Sequence, residues 1–517
     1  MEPTRTEQDS MGKMEVPAEV YYGAQTERAR RNFRISPLRF SRGFLRALGL
    51  IKKASAQVNM DLKLLPEVIG AAIIQAAQSV IDGQLDDQFV IDVFQTGSGT
   101  STNMNVNEVI AGIANERFPE GKRGGKSPVH PNDAVNLGQS SNDVIPTAIH
   151  VAALEGIEKR LIPALDHLRQ RLDERAFAFD PIVKIGRTHL QDAVPIRLGQ
   201  EFSGYSGQMS SSVRRLRLAS ESLRELAIGG TAVGTGINTH PDFASHVCAV
   251  LNRDTGLAFR PAAHPFEAMA NRDGAVEVSG ALKTVAVSLS NVANNLRWLA
   301  SGPRCGIAEI RIPELQPGSS IMPAKVNPVI PEAVMMVAAQ VVGNDATIAW
   351  ANALGSNFEL NVMMPVIAFN LLQSIDLLTN AAHHLADKCV DATKFLDGQA
   401  VDGVTRIEAD EARCREMVER SLAMCTALAP RIGYDNAAAV AKKAFRDGGN
   451  VRDVAEGLVG RSPAEFEQVL GPPASSRVLE QKGGFPSLEE IRTLLEPYSQ
   501  TVREPIEMPP SAGVRES

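Results

Sequence analysis

Five short polar segments contain the side chains of this sequence best suited to chemistry. They read QTGSGTSTNMNVNE (95–108), HPND (130–133), QSSND (139–143), GRTHLQDA (186–193) and PGSSIMPAKVNP (317–328). Three of them lead into predicted helices, so unpaired N–H groups and the positive end of a helix dipole lie beside hydroxyl and amide donors. Such helix starts, if they converge, form an anion site. Many neutral donors, to which Lys325 adds one full positive charge, suit a small dicarboxylate.

Each segment also has a simpler interpretation. Serine, threonine and asparagine before a helix usually act as caps, and glycine usually serves a turn. In the same way His130 fits a surface turn, His189 a structural histidine, and Glu332 a complement to a helix dipole. Five such segments in one chain exceed what capping requires, which favours a binding site.

Long helices must position these segments. Apolar residues recur at alternating spacings of three and four along the stretches 154–172, 202–226, 278–296 and 371–382. A fifth stretch, 332–350, is apolar on more than one face, which indicates burial against several neighbours. Five long helices with small residues between them predict a helical bundle. Their excess of apolar faces predicts a homo-oligomer.

The rest of the chain divides around this bundle. We predict an N-terminal mainly helical domain (1–142), a central helical-bundle domain (143–391) and a small C-terminal helical domain (392–470). The remaining residues (471–517) are rich in proline, glycine and serine, which predicts an irregular tail.

Composition excludes several functional classes. The 517 residues carry a net charge of −7, which argues against binding to nucleic acid or to an acidic membrane surface. No apolar run approaches the roughly 18 residues that span a bilayer, and no secretion or transit signal is visible. Five scattered cysteines fit free thiols in a reducing compartment. We therefore expect a cytoplasmic protein. The sequence shows no ligand spacing for a metal or an organic cofactor, so we expect neither.

The segment PGSSIMPAKVNP resembles the signature loop of the fumarase/aspartase superfamily, and the similarity extends over nearly the whole chain. Within that superfamily TGSGT (96–100), HPND, QSSND and NFELNVMMP (357–365) most resemble class II fumarate hydratases. The resemblance implies an all-α fold with a long central five-helix bundle flanked by two smaller, mainly helical domains. It also implies a homotetramer with a pooled 20-helix core, active sites built from three subunits, and reversible hydration of fumarate to L-malate in the tricarboxylic acid cycle.

The resemblance also assigns roles to residues. Ser319 is the implied base, His189 activates water, and Glu332 pairs with His189. The implied substrate-binding residues are Ser98, Gly99, Thr100, His130, Asn132, Asp133, Ser140, Ser141, Asn142, Thr188, Ser320, Lys325, Val326 and Asn327. The sequence departs from the fumarase pattern at Ala324, where glycine is usual, at Ser127, where many members have a basic residue, and at the pair 137–138, which is usually polar.

Three other functions are compatible with the same fold. An aspartase would release ammonia with the same serine base. A non-catalytic structural protein would have no need of Ser319, Lys325, Asn327 and His189. A lyase for a bulkier substrate would need aromatic or additional basic residues in the polar loops, and these loops contain no aromatic residue and only Arg187 besides Lys325.

Overall fold

A computed structural model of the chain describes residues 3–400 and 403–501 and is mainly α-helical. The α-helices in this part of the chain are Ala24–Asn32, Arg42–Asp61, Glu67–Ile81, Thr100–Asn115, Ser141–Gly156, Ile162–Ala178, Leu198–Ala219, Phe243–Thr255, Pro265–Ala270, Asp273–Leu299, Val329–Gly355, Met364–Leu385, Thr393–Leu396, Glu411–Arg420, Ala429–Ile432, Tyr434–Asp447, Val451–Glu456, Pro463–Leu470, Ser476–Gln481 and Leu488–Leu494. Strands occur in two-stranded pairs: Thr4–Asp9 with Gly12–Pro17, Val183–Thr188 with Gln191–Arg197, Glu225–Leu226 with Arg260–Pro261, Ile310–Arg311 with Glu408–Ala409, and Ser356–Asn357 with Leu360–Asn361.

The long helices predicted from apolar spacing are present. The stretch 141–178 is one helical segment with a π-turn at Ile157–Leu161. The residues of the four seams are buried, with at most 5% of their surface exposed: Leu154, Ile157, Leu161, Leu165, Leu168, Leu172, Phe202, Tyr205, Met209, Val213, Leu216, Leu223, Leu226, Val278, Leu282, Val285, Leu289, Val292, Leu296, Leu371, Ile375, Leu378 and Ala382. The period of the apolar pattern therefore identified the buried faces correctly.

The described fold separates into two compact units, and each is discontinuous in sequence. Among the described residues, the first comprises 3–165, 211–288 and 336–381, and the second comprises 166–210, 289–335, 382–400 and 403–501. In the first unit, helix Arg42–Asp61 packs against Glu67–Ile81, Ser141–Gly156 and Phe243–Thr255. The four-domain division drawn from the sequence stays a prediction.

The second unit contains a β-hairpin and a C-terminal helical core. Helix Glu411–Arg420 packs against strand Val183–Thr188, so the hairpin rests on this core. The core itself continues beyond Gly471: Leu479, Ile491 and Leu495 are buried in it. The prediction of an irregular tail is therefore wrong for residues 471–501, where glycines separate short helices whose apolar faces find a core. Residues 502–517 lie outside the described part of the chain.

The length and apolar composition of helix Val329–Gly355 contradict the expectation that no segment could span a bilayer. It is long and apolar enough by length and composition, with 33% of its most apolar window buried. Yet it carries a buried polar pair: Asp345 accepts a hydrogen bond from Ser279, and Asn344 donates to Ser374. Buried polar groups with protein partners are typical of a core helix in a water-soluble protein.

Candidate active site

The first polar loop of the first unit is held by a glycine that leaves no room for a side chain. A Cβ at Gly97 would lie 1.8 Å from the carbonyl oxygen of Val362, and the Gly97 carbonyl accepts a hydrogen bond from Met364. Gly99, at φ +74°, then turns the chain into helix Thr100–Asn115. The hydroxyls of Ser98 and Thr100 lie 2.8 Å apart at this helix start. The loop therefore presents two hydroxyls on a rigid backbone.

The second polar loop begins helix Ser141–Gly156 with a capping box. The Ser140 side chain accepts from the Asn142 amide, and the Asp143 carboxylate accepts from the Ser140 amide. The Asn142 side chain donates to the carbonyl of Ala232, and the Ser141 hydroxyl accepts from Asn103. The side chains of Ser141 and Asn142 are thus held in place before any ligand arrives.

A buried polar cluster lies beneath these two loops. The Asn136 side-chain oxygen accepts hydrogen bonds from Asn103 at 3.2 Å, Asn107 at 3.1 Å and Lys52 at 2.9 Å. Lys52 also donates to the side-chain oxygen of Gln139, again at 2.9 Å. The cluster therefore ties helix Arg42–Asp61 and helix Thr100–Asn115 to the segment that leads into the second loop.

Burial shifts the pKa values of two groups near this cluster. Loss of hydration lowers the pKa of the Lys52 ammonium to about 7, although the Asp143 charge opposes the shift. Burial also raises the pKa of the Asp143 carboxyl to about 7, against the effect of three backbone N–H donors from Ser140, Gly229 and Thr231. A neutral lysine amine still has two hydrogens for its two amide acceptors.

The HPND segment forms a short π-turn, Pro131–Val135, in the first unit. The Nδ1 atom of His130 accepts from the backbone amides of Asn132 and Asp133 at 3.2 and 3.1 Å. A neutral His130 ring therefore carries its proton on Nε2. The side chains of Asn132 and Asp133 are exposed. The turn thus presents an imidazole and two polar side chains at the surface of this unit.

In the second unit, Thr188 and His189 lie at the tip of the hairpin Val183–Thr188/Gln191–Arg197. His189 and Leu190 form its two-residue turn with φ of 57° and 59°. Two positive φ values are the pattern of a type I′ turn, which asparagine and glycine adopt most easily. A histidine and a leucine held there carry backbone strain, a feature that clusters at functional sites. Both side chains are exposed.

A buried carboxylate fixes this hairpin. Glu309 is fully buried and accepts two hydrogen bonds from Arg187, at 2.8 and 3.1 Å. Lys184 pairs with the same carboxylate at 3.2 Å and with Glu201 at 3.0 Å. Because Arg187 directly precedes Thr188, the ion pair determines where the hairpin tip lies.

The signature loop is closed on itself by hydrogen bonds. The Gly318 amide donates to the Lys325 carbonyl at 2.8 Å, and the Asn327 side chain donates to the Gly318 carbonyl at 2.7 Å. A Cβ at Gly318 would lie 2.6 Å from that Lys325 carbonyl oxygen, so only glycine fits. The helix begins at Val329, directly after Pro328, and the Asn327 side-chain amide closes the loop.

Ser319 occupies a distinctive position within this loop. Its hydroxyl oxygen accepts from the backbone amides of Ile321 at 3.2 Å and Met322 at 2.9 Å. Ala324, the departure from glycine, adopts φ +61°, the left-handed conformation that explains why glycine is usual there. A cavity of about 650 Å³ borders the loop, and its lining includes Ser319, Lys325, Val326, Glu314 and Phe395. Ser320 and Lys325 are exposed.

Hydrogen bonds and ion pairs in the described part of the chain do not connect all the predicted site residues. Glu332 lies in the first turn of helix Val329–Gly355, but no hydrogen bond or ion pair joins it to His189 within the described part of one chain. The nine predicted residues from Ser98 to Asn142 belong to the first unit, whereas Thr188, His189, Ser319, Ser320, Lys325, Val326, Asn327 and Glu332 belong to the second. The predicted roles of these residues stay predictions.

Sequence reasoning missed the supporting residues. Lys52, Asn136 and Glu309 were not singled out, and Gln139 and Asp143, which lie in the QSSND segment, were given no role, although all five hold the loops. Lys52 offered a signal, because it falls on the apolar stripe of helix Arg42–Asp61, where every neighbouring residue of the stripe is buried.

Comparisons with known proteins identify the family. A family model described as Lyase matches residues 12–343, and one described as Fumarase C C-terminus matches residues 424–474. The chain is 51% identical to a class II fumarate hydratase of Neisseria meningitidis over 91% of this chain and 98% of the relative. It is 53% identical to one of Mycobacterium tuberculosis over 88% of this chain and 92% of the relative.

The chain belongs to the class II fumarate hydratase family. A solved class II fumarase from Schistosoma mansoni matches with a TM-score of 0.83 and 38% identity, over 91% of this chain and 98% of that one. The predictions of the family, of a mainly helical fumarase/aspartase-type fold and of a lyase are therefore confirmed. Because the chain belongs to this family, the loop that contains Ser319 is a strong candidate for part of an active site.

The buried Lys52 predicts a dependence of stability on pH. Its pKa is about 7 in the folded chain and about 10.4 when unfolded, so the unfolded chain binds more protons between these values. The free energy of unfolding should therefore rise with pH from 7 to 10, by up to about 1.4 kcal/mol per pH unit. Lys52→Met should remove this rise in denaturant melts at fixed protein concentration.

Lys53→Met is the matched control, because Lys53 is partly exposed and pairs with Asp254. This variant should keep the rise. Parallel pH profiles for wild type and Lys52→Met would show that Lys52 keeps its ordinary affinity for protons.

Proposed function

We propose that this chain catalyses the reversible hydration of fumarate to L-malate. The observation that carries the proposal is the closed loop 317–327, which places a serine hydroxyl and a lysine charge beside a cavity, in a member of the class II fumarate hydratase family. The substrate is a small dicarboxylate. The reaction belongs to the tricarboxylic acid cycle.

The chemistry requires stabilisation of a carbanion. In the dehydration direction a base removes a proton from the carbon beside a carboxylate, and the negative charge moves onto the carboxylate oxygens as an aci-carboxylate. Donors aimed at those oxygens lower the barrier. Lys325 and the N–H groups of the loop are the donors we assign to this role, and hydroxide then leaves from the neighbouring carbon.

Ser319 is the base in this proposal. A serine hydroxyl is a weak base unless its alkoxide is stabilised. The amides of Ile321 and Met322 donate to the Ser319 oxygen, and Lys325 supplies a positive charge from the same loop. Donors that already point at the oxygen favour its charged form.

His189 activates the attacking water, or protonates the leaving hydroxyl in the reverse direction. Glu332 pairs with His189 and fixes its tautomer. Since one chain does not join these two residues, the pairing belongs to an assembly in which subunits share active sites. Residues that hold the carboxylates come from the loops at Ser98–Thr100, Ser140–Asn142 and Thr188, together with Ser320, Val326 and Asn327. His130, Asn132 and Asp133 form an accessory dicarboxylate site.

Helix Val329–Gly355 supports a homotetramer. One face carries the buried Val341, Asn344 and Ile348, whereas the opposite face is exposed along its length. The exposed face holds no charged side chain between residues 336 and 354: it consists of Met336, Ala339, Gln340, Val342, Gly343, Ala346, Thr347, Ala349, Trp350, Ala353 and Leu354. Small and apolar residues in this pattern pack helices closely. We infer that other subunits cover this face, and that the soluble tetramer is cytoplasmic.

Substrate choice can be tested by following fumarate absorbance from two substrates. The protein should convert L-malate to fumarate and release little or none from L-aspartate. An aspartate rate equal to or above the malate rate would identify an aspartase. Failure with both substrates, in a protein that folds and assembles, would support a non-catalytic role.

The base can be tested with Ser319→Ala. Its kcat should fall by roughly 10²–10⁴, the usual contribution of a positioned acid or base. KM should change much less, because the lost interaction belongs to the transition state. His189→Asn should also slow the reaction, and asparagine keeps the hairpin because it tolerates positive φ.

Ser320→Ala is the control for the Ser319 variant. Its hydroxyl is expected only to help bind substrate, so the loss should be milder. A Ser319→Ala enzyme within about threefold of wild type, under 1 kcal/mol of barrier, would exclude serine as the base.

The assembly can be tested with Trp350→Glu, since Trp350 is 67% exposed in one chain on the proposed shared face. Light scattering should give about four times 55.5 kDa for wild type and smaller species for the variant. Activity should fall with assembly, because the active site is shared. Phe445→Glu, 77% exposed on helix Tyr434–Asp447, should leave the tetramer intact. Equal masses for wild type and Trp350→Glu would contradict the proposed interface.

A further inference from the structure

Three side chains outside the polar loops converge in the second unit. His167 lies on helix Ile162–Ala178, His383 lies near the end of helix Met364–Leu385, and Asp387 lies in the π-turn Ala386–Val390 that follows it. One ligand atom from each lies within 4.8 Å of the other two. The proposed lyase chemistry uses none of them.

We propose that His167, His383 and Asp387 bind a divalent transition-metal ion of the Zn²⁺ class. Two imidazoles and one carboxylate form a ligand set typical of zinc, with roughly 2.0–2.2 Å from the ion to each ligand atom. Ligand atoms at that radius lie roughly 3.4 Å apart in a tetrahedron. The distances from the Asp387 oxygens, 2.6 Å to His167 Nε2 and 3.8 Å to His383 Nδ1, bracket this value. Small side-chain rotations therefore suffice.

The positions of the three residues on their helical segments also suit metal binding. His383 and Asp387 are four residues apart, so they lie on the same side of a helical segment and can bind one ion together. His167 comes from a different helix, with its ring centroid 5.8 Å from that of His383. A bound ion would therefore cross-link the two helical segments, and three protein ligands leave a fourth position for water.

The neighbouring charged side chains pair with other residues, so the Asp387 carboxylate remains available to a metal ion. On helix Ile162–Ala178, Arg169 pairs with Asp166 and Asp173, while Arg171 pairs with Glu174 and Asp391. Among the described residues, the ion pairs of Asp387 are with His167 and His383. The competing account is a simple His167–Asp387 ion pair, which needs a protonated histidine, whereas metal binding needs a neutral one.

Cobalt titration of the full-length protein, after treatment with a chelator, tests the proposal. Wild type should bind about one Co²⁺ per chain, with a visible d–d spectrum and no sulfur-to-cobalt charge transfer. Zn²⁺ should displace the cobalt and raise the thermal midpoint. His383→Ala, Asp387→Asn and His167→Gln should each weaken binding at least about tenfold and lose the Zn²⁺-dependent rise, since these changes remove ligand atoms.

His240→Ala is the matched control, because His240 is another partly exposed histidine beside an aspartate, Asp242, in the first unit. It should bind cobalt as wild type does. Circular dichroism and malate turnover of each variant, compared with wild type without metal, show whether its fold survives. Equal cobalt affinity in wild type and all three ligand variants would overturn the proposal. So would an absence of saturable binding, or a sulfur-to-cobalt band that assigns the ion to a cysteine.

Discussion

The Asp143 carboxylate is the buried group that fixes the second polar loop of the first unit. It is fully buried, and its two oxygens accept three backbone N–H groups, from Ser140, Gly229 and Thr231. These contacts join the start of helix Ser141–Gly156 to a loop almost ninety residues later in the chain. Burying a carboxylate is costly unless its oxygens are satisfied. The same contacts that reduce this cost also set the direction of the helix start.

Glu309 has the corresponding role in the second unit. Like Asp143 it is fully removed from water, but its partners are the side chains of Arg187 and Lys184. Replacing a buried ion pair by apolar residues is often neutral or stabilising, so stability alone does not explain such a group. The hydrogen bonds that Glu309 accepts from Arg187 fix the strand that leads into the strained turn at His189 and Leu190. Precise placement of a functional side chain requires such a supporting shell.

Structural features that depend on the local spacing of apolar residues were predicted from the sequence, whereas features that depend on tertiary contacts were missed. The seams through Leu154 and Val278 were recognised, because a spacing of three and four residues reports a buried helix face directly. The hairpin under His189 was not predicted, because its two turn residues, His189 and Leu190, are not the asparagine and glycine that mark a type I′ turn. The folded residues after Gly471 were missed since proline and glycine content masked Ile491 and Leu495. The cluster at His167 joins residues 220 positions apart, a separation that no local motif reports.

The predicted catalytic residues are not all joined to one another within the described part of one chain. Ser319 already has two backbone donors on its oxygen, and the loop around it is closed by its own hydrogen bonds. His189 and Glu332, by contrast, find no partner in each other within the described part of one chain. Helix Val329–Gly355, which contains Glu332, also exposes the small and apolar face that the proposed tetramer would bury. In the proposed tetramer, assembly and completion of the site are a single event, because the helix that we infer to form the interface also carries Glu332, the carboxylate that we assign to a histidine of another subunit.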